Sequence, residues 1–299
     1  MRENWKAPSA EVSKRNDVFM KSADKYAVIG NPIAHSKSPR IHALFAAGLQ
    51  QHIDYERRLA PLADFTGELQ RFLDVGGVGA NVTVPFKRDA FSLARNASLR
   101  AQQAGAANFL MWRGDHWYCD NTDGAGLVRD IEVNLQISLK DKSVLLLGAG
   151  GAARGVIGPL LLRSPKQMVV VNRTAERATE LVASYENQYA VSALTVDAFI
   201  AQSMKFDVVI NATSSSLGGA LPLPDNAHIF APAALAYDMM YGQQPTTFMC
   251  WAQRQGASSV ADGLGMLVEQ AAESYVQWRG VLPQTGPVIA QLRAELASE

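Results

Sequence analysis

A surplus of charge of one sign, paired cysteines and long apolar runs are all missing from this sequence of 299 residues. Lys plus Arg and Asp plus Glu stand at 28 each, so no charge footprint for nucleic acid or an anionic membrane surface is present. The two cysteines, Cys119 and Cys250, form no CxxC pattern, which leaves free thiols in a reducing cytoplasm as the expected state. The five histidines lack zinc-like spacing, and no metal is expected. No apolar stretch approaches the roughly 20 residues that span a bilayer. Residues 1–24 have neither the apolar segment of a secretory signal nor any periodicity. They are expected to form a flexible extension ahead of the fold.

What is present is a globular composition, 48% hydrophobic and 19% charged, in a chain long enough for two domains. Residues 26–30 (YAVIG) read as a buried first strand ending in a turn at Gly30-Asn31-Pro32. Ser38-Pro39 then reads as an N-cap followed by proline at the first helical position of a helix over 40–49. A strand over 53–59, a helix over 65–72 and a turn at 76–79 follow. The character changes near residue 141. The segments 143–147 (SVLLL), 168–171 (MVVV) and 207–210 (DVVI) are apolar without alternation, with helical patterns between them. This is the signature of a parallel sheet built from βαβ units. Residues 264–278 read as a last strong helix.

The strand over 143–147 runs directly into Gly148-Ala149-Gly150-Gly151-Ala152-Ala153, which matches G-x-G-x-x-A and opens a helix. The first glycine permits the tight turn, the second admits a pyrophosphate, and the small last residue lets helix and strand pack closely. The free N–H groups of the helix N-terminus complete an anion site. At the end of the next strand, where an NAD site carries an acidic residue, the chain has Asn172-Arg173-Thr174 with Arg177 one turn further. Arginines there suit a ribose 2′-phosphate, so NADP is the expected cofactor. The polar run Asn211-Ala212-Thr213-Ser214-Ser215-Ser216 follows a third strand and is expected to border the nicotinamide-side ribose.

The stretch Ala80-Asn81-Val82-Thr83-Val84-Pro85-Phe86-Lys87 alternates apolar with hydrogen-bonding residues, a strand-like pattern that meets a proline and ends at a lysine. A lysine beside a carbonyl undergoing hydride addition stabilises the developing alkoxide and supplies its proton. Its carboxylate partner is expected in the loop Asp120-Asn121-Thr122-Asp123-Gly124. Asp123 is the leading candidate and Asp120 the competitor.

The motifs GNPIAHSKSP, NVTVPFK, DNTDG, GAGGAAR, VNRT, NATSS, DMMYG and DGLGMLVEQAA occur in this order between about residues 25 and 290. Together they resemble the shikimate dehydrogenase family. The resemblance implies reversible NADPH-dependent reduction of 3-dehydroshikimate to shikimate, in chorismate and aromatic amino-acid biosynthesis. It implies that Ser36 and Ser38 bind the substrate carboxylate, and that Asn81, Thr83, Asn108 and Gln270 bind ring hydroxyls or the carboxylate. Lys87 and Asp123 would form the catalytic pair. Gly148 to Ala153 would hold the pyrophosphate, and Asn172, Arg173, Thr174 and Arg177 the adenosine 2′-phosphate end. Thr213, Met239 and Gly263 would line the nicotinamide half, and Tyr241 would reach the substrate across the cleft. One departure is local: Ala107-Asn108-Phe109 stands where the family commonly has Val-Asn-Thr.

The implied architecture is α/β and two-lobed. A substrate-binding domain over 25–122 is completed by C-terminal helices over 264–299, and a Rossmann-type doubly wound NADP-binding domain covers 123–263. Two other readings stay open from the residues alone. One is a quinate/shikimate dehydrogenase with relaxed substrate or cofactor choice. The other is a non-catalytic NADPH-binding regulator, since such folds host many functions. The chain is expected to act as a monomer or homodimer.

Overall fold

The computed structural model describes residues 23–213, 223–225 and 227–298. Most of the expected N-terminal extension and the run Ser214-Ser215-Ser216 lie outside these residues. Two six-stranded sheets organise the described residues.

The first sheet is built from β1 (Asp24–Gly30), β2 (Ile53–Leu59), β3 (Gly77–Val82), β4 (Asn96–Ala97), β5 (Phe109–Trp112) and β6 (Trp117–Asp120). Its order is β2-β1-β3-β5-β6-β4. β1 pairs in parallel with β2 and β3, whereas β3–β5 and β5–β6 are antiparallel. Between these strands run α1 (Ser38–Gly48), α2 (Phe65–Asp74), α3 (Lys87–Leu93) and α4 (Leu99–Ala104). After β6 comes α5 (Asp123–Arg129), which passes into a single π turn over Asp130–Asn134.

The second sheet is parallel throughout: β7 (Ser143–Leu147), β8 (Gln167–Val171), β9 (Val191–Leu194), β10 (Phe206–Asn211), β11 (Phe230–Asp238) and β12 (Ser259–Ala261). Read from β9, its order is β9-β8-β7-β10-β11-β12, the doubly wound arrangement whose switch point falls between β7 and β10. Its connecting helices are α6 (Gly151–Leu161), α7 (Ala175–Val182), α8 (Val196–Ala201) and α9 (Thr247–Arg254). The chain ends with α10 (Leu264–Arg279) and α11 (Thr285–Ala297).

The continuous apolar strands are explained by helices on both faces. Val144, Leu146, Val170 and Ile210 face a core with Leu127 of α5, Val156 and Leu160 of α6 and Leu181 of α7. Leu145, Leu147, Val169 and Val209 face the opposite core with Phe199 of α8 and Phe248 and Trp251 of α9. In the first sheet, Ala27, Ile29 and Val82 pack on Phe65, Leu69 and Phe72 of α2. A further core joins Ile41 and Phe45 of α1 to Val268 and Tyr275 of α10 and Leu292 of α11. Trp278 of α10 stacks near Tyr26 of β1 at 4.6 Å and donates to Leu110 O at 3.1 Å, so α10 packs on the first sheet.

Two expectations are corrected. Residues 77–79 are strand rather than turn, and β3 stops at Val82 instead of continuing to Phe86. Past Val82, the Thr83–Phe86 segment closes a turn through Phe86 N–H to Thr83 O at 3.0 Å. Phe86 is buried and stacked on Phe65, so the chain turns down into the core there. β11 carries no strand signature, because its alanines and leucine favour helices in isolation. It is a strand because β10 and β12 pair with it on either side. Among the described residues, no helix is long and apolar enough to cross a membrane.

His42 of α1 is 1% exposed and its Nε2 has no hydrogen-bond partner. Its ring stacks on Tyr55 at 4.2 Å. Burial pushes its pKa from 6.5 down to about 3. Below pH 6.5 the unfolded chain takes up a proton that the folded chain refuses. Stability contributed by this group is therefore full above pH 6.5 and lost as pH falls, by up to about 1.4 kcal/mol per pH unit. Urea unfolding at pH 7 and pH 5 is expected to show a smaller loss in His42→Phe than in the wild type. Equal losses would show that His42 does not carry the acid sensitivity.

Candidate active site

The ends of β1, β3 and β11, the residue before β5 and the starts of α1, α3, α5 and α10 surround one cleft of about 330 Å³. Lys87 reaches it as the first residue of α3, held by the turn before it, which the buried Phe86 anchors, and by Ala107 N–H donating to Lys87 O at 2.8 Å. Asp123 reaches it as the first residue of α5. The Lys87 ammonium donates to Asp123 Oδ2 at 2.5 Å, with the side chains 27% and 11% exposed. The pair is thus sheltered yet open to the cleft.

Close approach explains why α5 sits here. A Cβ on Gly124 would lie 2.6 Å from Gly155 O of α6, and one on Gly126 would lie 2.6 Å from Gln270 N of α10. The two glycines let α5 wedge between the helix after the glycine loop and the helix that carries Gln270.

An amide network fixes the pair. Asn108 Nδ2 donates to Asp123 Oδ1 at 2.7 Å and to Gln270 Oε1 at 3.1 Å, while Asn108 Oδ1 accepts from Thr122 N–H at 2.7 Å. Gln270 is buried on α10, not exposed, and its Nε2 donates to Leu267 O. Asn81 Nδ2 donates to Ser274 Oγ at 2.9 Å and to Asn108 O at 3.2 Å, and its Oδ1 accepts from Tyr55 Oη at 2.8 Å. Burial raises the Tyr55 pKa far above its ordinary value, so its phenol stays a donor. Asp120, the other candidate partner for Lys87, is turned away and paired with Arg100.

Ser36, in the loop before α1, and Ser38, the first residue of α1, line the cleft. Ser38 is not the N-cap: Lys37 takes that position without a side-chain cap bond, Ser38 is already helical, and its N–H is accepted by Ser36 Oγ at 3.3 Å. The two hydroxyl oxygens lie 3.3 Å apart, and Arg57 of β2 holds the Ser36 carbonyl with two N–H groups at 2.6 and 2.9 Å. Thr83, Tyr241, Met239 and Gly263 complete the lining used here. All nine expected substrate residues therefore line one cleft, together with two of the nicotinamide set.

The remaining cofactor candidates lie at the carboxyl ends of β7, β8 and β10. Gly148 has φ of +104° and donates its N–H to Val171 O at 2.8 Å. A Cβ there would also meet Thr213 Cγ2 at 2.9 Å. Gly150 and Gly151, by contrast, face open space, and α6 starts without a side-chain cap. A phosphate fits such a cradle: its space is kept clear and its N–H donors are unclaimed by side chains. Ala149 and Ala153 are buried against the sheet, while Ala152 is exposed. Thr213 N–H and Oγ1 both donate to Asn211 Oδ1, and Asn211 is itself tied to Asp238 at the end of β11. Asn172 Nδ2 donates to Thr174 O at 2.8 Å, which shapes the turn after β8. Arg173, Thr174 and Arg177 are exposed beside it. This group does not line the substrate cleft.

Tyr55, Thr122 and Ser274 were not legible as site residues. For Ser274 a signal existed: Gln270, Ser274 and Gln277 lie at helical spacing on one stripe of a largely buried helix, where polar side chains need partners.

Known proteins resemble this chain over most of its length. Residues 28–110 match the shikimate dehydrogenase substrate binding domain, residues 131–218 the shikimate / quinate 5-dehydrogenase family, and residues 263–293 the shikimate 5′-dehydrogenase C-terminal domain. A shikimate dehydrogenase (NADP(+)) of Dechloromonas aromatica is 53% identical over 92% of this chain and 100% of its own length. One from Nitrosospira multiformis is 54% identical over 92% of this chain and 99% of its own. Among solved structures, an Ael1 enzyme from Pseudomonas putida superposes with a TM-score of 0.85 at 45% identity, covering 90% of this chain and 98% of that one. A Thermus thermophilus shikimate 5-dehydrogenase in complex with NADP(H) and shikimate superposes with a TM-score of 0.80 at 30% identity, covering 91% of this chain and all of that one. With a cleft, a glycine cradle and relatives that agree from end to end, the chain belongs to the shikimate dehydrogenase family.

Proposed function

We propose that this protein catalyses the reversible NADPH-dependent reduction of 3-dehydroshikimate to shikimate, with Lys87 and Asp123 as the acid/base pair. The observation that carries the reading is the Lys87–Asp123 contact of 2.5 Å at the wall of a polar cleft. Bound NADPH supplies the hydride. As electron density moves onto the substrate carbonyl oxygen, Lys87 stabilises it and delivers a proton, forming the hydroxyl. Asp123 keeps the ammonium in place and accepts a hydrogen bond from a neighbouring ring hydroxyl. Ser36 and Ser38 offer hydroxyl donors to the substrate carboxylate, and Asn81, Thr83 and Gln270 read the ring hydroxyls. A site so rich in hydrogen-bonding groups penalises analogues that leave those groups unpaired. Residues 25–122 with the C-terminal helices form the substrate domain and 123–263 the NADP domain. The setting is the cytoplasm, as a monomer or homodimer.

Arg173 and Arg177 select the 2′-phosphate. Replacing both with alanine is expected to raise KM for NADP by at least about 150-fold, since each charge-assisted bond contributes roughly 1.5–3 kcal/mol and the two together at least about 3. KM for NAD should stay within about threefold. An equal rise for both cofactors would remove the arginines from 2′-phosphate recognition.

The overall assignment is tested by NADPH formation with shikimate or quinate crossed against NADP or NAD. Fast turnover with shikimate and NADP supports it. Preference for quinate or NAD moves the chain to a sister activity. NADPH binding without turnover in any pairing makes it a nucleotide-binding regulator.

A further inference from the structure

Asp120 takes no part in the reacting pair, yet it is the most heavily hydrogen-bonded carboxylate beside it. Its Oδ1 accepts from Ser98 Oγ, from Arg100 Nε at 2.7 Å and from Asn121 N–H at 2.6 Å. Its Oδ2 accepts from Arg100 Nη2 at 2.6 Å and Gln277 Nε2 at 2.7 Å. Arg100 Nη2 also reaches Glu273 Oε1 at 2.8 Å. One arginine of α4 thus grips the end of β6 through two parallel bonds and ties it to α10, the helix that presents Gln270 to the cleft. Burial alone would push the Asp120 carboxyl up, but the Arg100 guanidinium, with hydrogen bonds from Ser98 and Gln277, turns the net shift downward.

The grip continues along the chain. Asn121, whose N–H is fixed by Asp120, accepts from Asp123 N–H through Oδ1 at 3.2 Å and donates to Ala106 O at 3.0 Å. Asp123 then holds Lys87 and Asn108 with its two oxygens. On the far side the loop leans on α6, where a Cβ on Gly155 would lie 3.2 Å from Asn121 Oδ1 and 3.5 Å from Asp123 Oδ2. The point at which the loop leaves β6 is therefore set by Asp120 and Arg100, and Asp123 follows three residues later.

We infer that Arg100, acting through Asp120, is a positioning residue for the reaction: it fixes the loop that carries Asp123 and so holds the Lys87–Asp123 pair in register with the cleft. The inference rests on the assignment of that pair given above. An arginine is needed because only a planar fork supplies both bonds to one carboxylate and a third to Glu273. Stability alone is a poor reason for such a pair. Buried ion pairs frequently contribute little relative to apolar substitutes, whereas their geometry is specific.

The test is a double-mutant cycle on kcat with Arg100→Gln and Asp123→Asn. Arg100→Gln is expected to lower kcat by about 10- to 30-fold, with KM for 3-dehydroshikimate within about twofold, because misplacing a reacting group by an ångström can cost up to about a hundredfold. Added to Asp123→Asn, it should cost less than about twofold more, since both act through one group. A purely structural role would give losses that multiply, and that result overturns the inference, as does an Arg100→Gln enzyme within twofold of the wild type. Arg100→Gln leaves Asp120 buried without its cation, so Arg100→Gln/Asp120→Asn is measured beside it. With both charges removed, the chain should melt closer to the wild type and keep the same loss of kcat. If kcat recovers with the melting temperature, the inference fails. The underlying reading is separately exposed: an Asp123→Asn enzyme with full kcat sinks the acid/base assignment and this inference with it, while a dead Asp123→Asn enzyme with a multiplicative cycle sinks the inference alone.

Discussion

Lys87→Ala is expected to lower kcat about a thousandfold while leaving KM for shikimate within a few-fold and NADP affinity unchanged, the range in which positioned proton donors act. A factor of a thousand is about 4 kcal/mol of transition-state stabilisation. Two contributions combine in that figure. The ammonium stands where negative charge grows on the substrate oxygen, sheltered enough for the interaction to count, and it supplies the proton that completes the alcohol. KM should move little because the reacting oxygen is neutral in both bound alcohol and bound ketone and charged only at the transition state. The fold should survive, since Asn108 keeps hold of Asp123 from the other side. Lys87→Arg separates the two contributions: it retains the charge, but its guanidinium does not give up a proton at working pH. Recovery of only a small part of kcat in Lys87→Arg supports proton delivery, and full recovery assigns the effect to charge alone. A Lys87→Ala enzyme within threefold of the wild type would remove Lys87 from the chemistry.

Gly263→Ala is expected to cost about 3 kcal/mol of stability, at the upper end of what overpacking usually does. Gly263 caps the start of α10, and its φ of −75° is available to any residue, so backbone strain is not the reason. The obstacle is the Met239 carbonyl oxygen, which a Cβ would approach to 2.2 Å, with the Met239 carbonyl carbon at 2.7 Å. Backbone atoms cannot swing aside as a side chain end can. Either α10 retreats, or residues 239–241 shift and drag Met239 and Tyr241 out of the cleft. Both routes weaken the Gly263 N–H bond to Met240 O. Thermal unfolding should fall by several degrees, and KM for shikimate should rise in whatever protein remains folded. Gly286→Ala is the control. That exposed position in α11 has open space around it, and alanine there should gain a few tenths of a kcal/mol up to about 1 kcal/mol from helix propensity. Equal melting shifts in the two variants would show that the Met239 contact is not limiting.

Each part of the site became readable, or failed to, for a physical reason. The glycine turn was legible because its pattern is local. Gly148, Gly150 and Gly151 follow a strand buried on both faces, and Arg173 stands at the end of the next strand, so motif and context lie within 30 residues. Lys87 was legible as the end of a polar and apolar alternation, although the strand itself stops at Val82. There the burial of Phe86 overrides the strand pattern. Ser38 looked like a cap because cap residues and first-turn residues share a composition; the backbone set the helix start one position earlier, at Lys37. β11 was invisible because pairing with its neighbours, not propensity, makes it a strand.

By itself, the sequence determined that the chain folds as α/β, that a glycine-rich turn opens a helix after a strand buried on both faces, and that a lysine ends a polar and apolar alternation. Tertiary structure alone decided the rest. It set Asp123 rather than Asp120 against Lys87, 36 residues apart in sequence. It brought Gln270 to Asn108 across 162 residues and Ser274 to Asn81 across 193. Periodicity and caps are interactions between near neighbours and leave their mark on a short window of sequence. Which of two carboxylates in one loop meets a lysine depends on how α5 wedges between α6 and α10, and that is settled only when the helices close on one another.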